Sequence, residues 1–181
     1  MRAPRRFAHA ALAALLLAGC AGPEFLAPAR DLEFELAGRI AVTFRHEAAS
    51  GNLAWRHSRE SDEIMITSPL GQGVVRIVRA GGEVILTRAD AGEFRAADAE
   101  LLTEKVLGFR LPLAGLADWV RARPARGSTP TRWRRDASGR LAELEQSGWR
   151  IEYQEYAGEH PARLRLTYPG LELRLAIAEW K

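Results

Sequence analysis

The sequence predicts a mainly β protein in which one curved antiparallel sheet of about eleven strands carries two helices on its concave face. Apolar and charged residues alternate with a period of two along most of the chain after residue 31, which is typical of strands with one buried face. Short turns join most of these segments, and short connections favour antiparallel neighbours. The period becomes helical only past the middle of the chain. A sheet with a solvated outer face and helices over its apolar face accounts for all three observations.

Six alternating segments predict the first half of the sheet. Gly81-Gly82 indicates one turn, and residues 68–71 indicate another between a strand at 62–67 and a strand at 73–79. We expect the apolar residues that share one parity within each segment to face the core. They are Phe34, Leu36, Ile40, Val42, Phe44, Leu53, Trp55, Ile64, Ile66, Val75, Ile77, Val84, Leu86 and Phe94.

Two helices are predicted at 98–107 and 112–123. Asp98 is a candidate N-cap of the first helix, and Gly108 can end it. Pro112 suits the first turn of the second helix, and Pro124 ends it. We expect the apolar residues at helical spacing to face the sheet. They are Leu101, Leu102, Val106 and Leu107 in the first helix, and Leu113, Leu116, Trp119 and Val120 in the second.

Five strands are predicted after a stretch rich in Pro, Gly, Ser and Thr at 124–131. Turns are indicated at 136–139 and at Pro169-Gly170. The apolar positions of these strands are Trp133, Leu141, Leu144, Trp149, Ile151, Tyr153, Leu164, Leu166, Tyr168, Leu171, Leu173, Leu175 and Ile177. The 150 residues from 32 to 181 suit a single domain.

The amino-terminal residues are typical of a bacterial lipoprotein precursor. A basic segment precedes an apolar run at 7–17 that is too short to span a bilayer, as in a secretory signal peptide. The run ends in Leu17-Ala18-Gly19-Cys20, which matches the lipobox, a motif whose Cys is lipidated and becomes the new N-terminus. We therefore expect residues 1–19 to be removed and Cys20 to carry the lipid anchor.

Residues 20–31 are then a lipidated N-terminus and a short tether that contains two prolines. Ala21 follows the lipobox Cys, where an Asp usually signals retention in the inner membrane. The resemblance to this sorting rule implies the outer membrane, with the domain facing the periplasm. Several acyl chains make such an anchor stable, since burial gains about 0.8 kcal/mol per CH₂ group.

Composition and charge exclude several classes of protein. The chain is 47% hydrophobic and 27% charged, which excludes a disordered chain, a coiled coil and a polytopic membrane protein. Its 26 basic and 23 acidic residues give a formal charge of +3, but removal of Arg2, Arg5 and Arg6 with the signal leaves 23 of each. Such a balance provides no global field that would attract nucleic acid.

A local basic cluster is formed by the three arginines that flank Trp133, which are Arg132, Arg134 and Arg135. We favour a solvated strand face over contact with lipid phosphate as the role of this cluster.

Catalytic chemistry is not indicated, and we predict no enzyme, cofactor or metal. Cys20 is used by the anchor, and the single cysteine excludes a multi-cysteine metal site. No G-x-S-x-G motif is present, and Gly71-Gln72-Gly73 is expected to be a turn rather than a phosphate loop. Asp62-Glu63 begins a strand, where a solvated role is expected. The remaining histidines lack the spacing of metal ligands. They are His46, His57 and His160. We expect His57 to be structural or on the surface.

The turn Ser68-Pro69-Leu70-Gly71 carries a leucine at its tip, where polar residues are usual. Pro69 stiffens the approach to the tip and Gly71 permits a tight conformation after it. Two interpretations remain open on these residues alone. Leu70 folds back onto the domain, or it projects into solvent and contacts a membrane.

Together these segments resemble the LolB family of outer-membrane lipoprotein receptors over nearly all of the chain after Cys20. Their order, combined with the lipobox, is specific. The segments are 36–42, 50–55, 68–72, 98–100, 111–113, Leu116, Trp119-Val120, Gly148-Trp149 and 173–180. The resemblance implies an open antiparallel half-barrel of eleven strands, closed by helices around a hydrophobic cavity. The region before Phe34 departs from the family, because it is short for the long N-terminal helix that is common there.

The resemblance also implies a function without covalent chemistry. A soluble periplasmic carrier, LolA, would deliver triacylated lipoproteins, whose acyl chains would pass through the cavity into the lipids of the outer membrane. Leu70, with Pro69 and Gly71, matches the family's membrane-insertion loop. We expect a monomer that binds no nucleic acid. The alternative is a structural or assembly lipoprotein without carrier activity.

Residue parity selects nine candidates for the lining of the cavity. Each is as easily explained by ordinary core packing, because the sequence does not show whether the space between sheet and helices is empty or filled. The candidates are Ile40, Val42, Trp55, Ile64, Ile66, Leu116, Trp119, Trp149 and Ile151.

Overall fold

The computed structural model describes residues 31–181. The predicted signal peptide at 1–19, the lipidation at Cys20, the tether before residue 31 and the question of an N-terminal helix lie outside the described residues. Six strands come first along the chain, and then two helices and five more strands. The elements are β1 Leu32–Phe44, β2 Glu47–Ser58, β3 Asp62–Thr67, β4 Gly73–Ala80, β5 Glu83–Arg88, β6 Gly92–Ala96, α1 Ala99–Leu107, α2 Leu113–Trp119, β7 Arg132–Arg135, β8 Leu141–Gln146, β9 Trp149–Ala157, β10 His160–Tyr168 and β11 Leu171–Trp180.

All eleven strands form one antiparallel sheet, in the order β6-β5-β4-β3-β2-β1-β11-β10-β9-β8-β7. The first and last strands therefore pair in the middle, and β6 and β7 are the edges of an unclosed sheet. This arrangement confirms the predicted fold class. It follows from hairpin connections throughout, since each pair of strands within either half is joined by a short turn.

Opposite ends of the sheet differ in the turns that they carry. At one end, which we call the Leu32 end, β1 begins, and the β2–β3, β4–β5, β7–β8 and β9–β10 turns lie there. At the other end, the Leu70 end, lie the turns at 45–46, 68–72, 89–91, 147–148 and 169–170. The candidate functional site lies at the Leu70 end.

Local sequence explains both ends of α1. The Asp98 side chain accepts a hydrogen bond from the backbone N–H of Leu101 at 2.9 Å, and Gly108 ends the helix in the left-handed conformation. Both predicted caps are therefore confirmed. α1 packs against β5 and β6. In addition, the Arg88 guanidinium donates to the carbonyl oxygen of Val106 at the carboxyl end of the helix.

The second helix is shorter than predicted. α2 ends at Trp119 rather than near 123, because the Asp118 carbonyl oxygen accepts the backbone N–H of both Arg121 and Arg123, and Ala122 adopts a positive φ of 55°. Pro112 lies at the N-cap position rather than inside the first turn. Apolar Val120 continues the helical pattern in sequence, but it belongs to the turn that reverses the chain.

Candidate functional site

On strands β1, β3 and β4, the inner face of the sheet is buried towards the Leu32 end and only half buried towards the Leu70 end. On β1, Phe34 and Leu36 are buried, whereas the apolar residues nearer the Leu70 end are half buried. β3 and β4 show the same change between Ile64 and Ile66, and between Ile77 and Val75. We call this half-buried surface the apolar mouth. It consists of Ile40, Val42, Phe44, Ile66 and Val75.

The two helices cover the flanks of the inner face. α1 lies over β5 and β6, and α2 is held against β8 and β9. Trp119 of α2 packs on Trp149, with ring centroids 5.9 Å apart, and its carbonyl oxygen accepts a 2.9 Å hydrogen bond from the Tyr153 hydroxyl. The segment between the helices reaches β1, where Phe109 lies 5.4 Å from Phe44. The apolar mouth therefore lies on the central strands β1, β3 and β4, between the two covered flanks.

Gly51 occupies the inner-face position of β2 within the mouth. It is paired with Ile40 across β1 and β2, and a Cβ atom built on it would lie 3.1 Å from the Cγ2 of Ile66 and 2.3 Å from the Thr67 carbonyl oxygen. Any side chain at this position would therefore push β3 away from β2. The glycine therefore leaves a gap between the side chains of Ile40 and Ile66 on the inner face.

All nine predicted lining residues belong to the apolar cluster on the inner face. Six are fully buried in it: Trp55, Ile64, Leu116, Trp119, Trp149 and Ile151. Ile40, Val42 and Ile66 are half buried and form part of the mouth. Phe44 and Val75 also belong to the mouth, although sequence reasoning did not select them as lining. Their parity indicated the inner face, but parity does not show which part of that face the helices leave uncovered.

Leu70 projects into solvent, with 89% of its surface exposed. Its loop is a three-residue hairpin connection, since Ser68 N donates to Gln72 O at 2.7 Å and Gly71 N donates to Ser68 O at 2.8 Å. Gly71 has a φ of 85°, a conformation that glycine adopts without strain. Asn52 of β2 donates to the same Ser68 carbonyl oxygen. These bonds define the conformation of the turn, and the interpretation in which Leu70 folds back onto the domain is wrong.

A buried ionic cluster lies at the Leu32 end. Asp62 accepts hydrogen bonds from Trp55 Nε1 at 3.0 Å, His57 Nδ1 at 2.6 Å and Arg79 Nε at 2.6 Å. Burial alone raises the pKa of Asp62, but the His57 hydrogen bond and the Arg79 charge hold it below its usual value. The expectation that Asp62 and Glu63 are solvated is therefore wrong, because both are buried. The partners that permit this burial lie on neighbouring strands.

His57 has a structural environment, as predicted. Its ring stacks on Phe34 with centroids 4.9 Å apart, and its Nε2 atom lies 4.0 Å from a Glu33 carboxylate oxygen. Within residues 31–181, no group of three or more His, Cys, Asp or Glu residues could hold a metal ion. In the same part of the chain, no helix is long and apolar enough to cross a membrane.

Comparison with known proteins identifies the family. The model of the family described as "Outer membrane lipoprotein LolB" matches residues 32–180. The chain belongs to the LolB family. The match includes the apolar mouth, the Leu70 loop and both helices of this LolB-family protein.

Relatives of similar length support the same assignment. A protein of Thiobacillus denitrificans named "Outer-membrane lipoprotein LolB" is 39% identical over 98% of both chains. One of the same name from Azoarcus is 35% identical over 100% of this chain and 98% of its own. Among solved structures, a LolA superfamily protein from Nitrosomonas europaea has a TM-score of 0.48 and 13% identity, covering 83% of this chain and 86% of that chain.

Proposed function

We propose that this LolB-family protein is an outer-membrane-anchored receptor that accepts lipoproteins from the periplasmic carrier LolA and inserts them into the outer membrane. The acyl chains would bind at the apolar mouth, and Leu70 would enter the bilayer during release. No bond is made or broken in this process. The observation that carries the proposal is the 89% exposed Leu70, which projects from a hydrogen-bonded turn at the same end of the sheet as the mouth.

The mouth is suited to acyl chains because its apolar side chains are only partly covered by protein. An acyl chain of about 16 carbons has a hydrophobic cost on the order of 10 kcal/mol in water. Such a chain moves readily only between apolar sites that are in contact. The mouth supplies such a site on the central strands, and a deeper path would require the flanking helices to move.

Leu70 is suited to release because its exposure is unfavourable in water. A fully buried leucine gains roughly 1.5–3 kcal/mol relative to an exposed one, and Leu70 lacks this gain in water because it projects from its turn. Insertion into the apolar edge of a bilayer recovers this free energy. A charged side chain at the tip resists the same step, since its desolvation is costly.

Cys20 would supply the lipid anchor. The Cys20→Ala variant is expected to lose incorporation of a fatty-acid probe during metabolic labelling, and to keep some ability to accept cargo because the anchor mainly localises the domain. Labelling that persists in the variant would contradict this assignment.

The functional test compares two substitutions of exposed leucines. Leu70→Glu is expected to leave acceptance of lipoprotein from LolA within about twofold of the wild type and to reduce incorporation into liposomes by more than about tenfold. Leu101→Glu is the matched control, because Leu101 is 54% exposed on the first turn of α1, where an acid is tolerated. It should leave both steps nearly unchanged.

The result also separates a carrier from a structural lipoprotein. Failure of the wild type to take any lipoprotein from LolA would support the structural alternative. Loss of acceptance in Leu70→Glu together with normal release of bound cargo would contradict the role given to Leu70.

A further inference from the structure

Exposed apolar side chains concentrate at the Leu70 end of the sheet. Besides Leu70, they are Val74 at the second position of β4, Trp133 at the second position of β7 and Tyr168 at the last position of β10. Trp133 is 59% exposed. In the described part of the chain, the other exposed large apolar residues are Leu32, at the opposite end, and Leu101 on α1.

Charge is distributed in the opposite way. At the Leu70 end, the turns at 68–72, 147–148 and 169–170 contain no charged residue. The turn at 89–91 contains Asp90, which is paired with Arg88 at 2.6 Å, and the turn at 45–46 is Arg45-His46, followed by Glu47 at the start of β2. At the Leu32 end, turns contain Arg59-Glu60, Asp136 with Arg140, and Glu159, and only Gly81-Gly82 is uncharged.

The exposed apolar side chains suit the Leu70 end to contact with lipid, and the charged turns suit the Leu32 end to water. Unpaired charges resist transfer out of water, whereas Trp and Tyr are favoured at the boundary between lipid and water. Arginines near such a boundary can contact lipid phosphates while their stems remain in apolar surroundings. Arg45 and Arg132 lie at the Leu70 end, and the Arg45 guanidinium lies 4.9 Å from the centre of the Phe44 ring.

We propose that the whole Leu70 end is a membrane-facing surface, in which Trp133 and Tyr168 rest at the phospholipid headgroups while Leu70 inserts into the apolar edge of the bilayer. This inference rests on the proposed function, because it extends the contact of Leu70 to a defined orientation of the domain. The Leu32 end then faces away from the bilayer.

The tryptophans of the protein allow a direct test. Trp55, Trp119 and Trp149 are buried and Trp180 is half buried, so an aqueous quencher such as acrylamide reports chiefly on Trp133. The full-length anchored protein is placed in vesicles of phosphatidylethanolamine and phosphatidylglycerol, and acrylamide quenching is measured. A matched protein carries Trp133→Phe and Leu101→Trp, which moves the exposed reporter to α1. Circular dichroism checks that both proteins are folded.

The quenching constant of the exposed component is expected to be about threefold lower for Trp133 than for the reporter at position 101. Leu70→Glu should raise it towards that of the reporter at 101. Equal quenching of the two reporters, or shielding of Trp133 only after LolA is added, would overturn the inference.

The proposed function can fail independently. If acrylamide reaches Trp133 in the vesicle-bound protein but Leu70→Glu still blocks only release, the role of Leu70 stands and the wider membrane-facing surface is wrong. If Trp133 is shielded but Leu70→Glu releases cargo normally, the orientation stands and the role of Leu70 is wrong.

Discussion

The Trp119 indole Nε1 donates a 2.8 Å hydrogen bond to the Oε1 atom of Gln146, and this buried contact fixes the end of α2 on β8. The same oxygen accepts the backbone N–H of Ala125, and the Nε2 atom donates to the carbonyl oxygens of Ala125 and Ser128. One side chain therefore satisfies four polar groups, one on the last residue of α2 and three in the segment that follows the helix. This explains how a short helix with few backbone bonds of its own is held over the sheet.

Gln146→Leu is expected to destabilise the protein by about 2–4 kcal/mol, because it leaves buried donors and acceptors without partners. The measurement is the free energy of unfolding in urea. Gln154→Leu is the matched control, since Gln154 is exposed on the neighbouring strand β9, and it should change the value by less than about 0.5 kcal/mol. Equal effects of the two substitutions would contradict the role of Gln146.

Asp62→Asn is expected to destabilise the protein by about 3–5 kcal/mol, because a buried charged network loses one partner. Arg79 and His57 would then lack their carboxylate. Asp90→Asn is the control, since Asp90 makes only an exposed pair with Arg88. A change of less than about 1 kcal/mol in Asp62→Asn would show that the cluster adds little to stability.

The pKa of Glu33 predicts a loss of stability in acid. Its hydrogen bond from Arg121, against the opposing effect of desolvation, lowers the pKa of Glu33 to about 2 from its ordinary 4.5. A lowered folded-state pKa contributes stability that is complete above 4.5 and is lost as pH falls towards 2. Solvent screening limits this contribution to less than about 1 kcal/mol. Unfolding free energies at pH 6 and pH 3 should therefore differ less in Glu33→Gln than in the wild type, and identical differences would contradict the assignment.

The length of the tether predicts a constraint on insertion. β1 begins at Leu32, at the end of the sheet opposite to Leu70. Asn52 pairs with both Arg39 and Thr67, so the last residue of β3 lies level with Arg39 of β1. The Leu70 loop therefore begins about seven residues, or roughly 23 Å, from Leu32 along the strand direction. The twelve residue steps from Cys20 to Leu32 reach at most about 40 Å. Deleting eight of the intervening residues leaves about 13 Å, which is too short if both Cys20 and Leu70 enter one leaflet.

The shortened chain should therefore accept lipoprotein but fail to release it into liposomes. A Gly/Ser segment of the original length should preserve release. Cys20→Ala in the shortened chain should restore it, since an unanchored domain is free to orient. Normal release by the shortened anchored chain would contradict an orientation in which the Leu32 end faces away from the bilayer.

Sequence patterns were sufficient to predict the strands, both caps of α1 and the turn that carries Leu70, because each depends on residues close together in the chain. Whether Leu70 projects or folds back depends on the surface around the turn, so the residues alone left both interpretations open. The end of α2 depends on how Asp118 binds the turn that follows, and apolar Val120 conceals it. Burial of Asp62 depends on Arg79 and Trp55, which only strand register brings together. The difference between Ile64 in the core and Ile66 in the mouth depends on where the helices lie, which parity does not encode.

The proposed transfer depends on the binding of acyl chains at the apolar mouth. To locate this binding, the protein is loaded with a lipoprotein whose acyl chains carry a photoactivatable diazirine, and the labelled residues are mapped after irradiation. We expect labelling at Ile40, Val42 and Ile66 on the inner face, and little at Arg39, Thr43 and Met65 on the outer face of the same strands. Labelling confined to the outer face, or absent from the mouth while lipoprotein remains bound, would contradict binding of the acyl chains at the mouth.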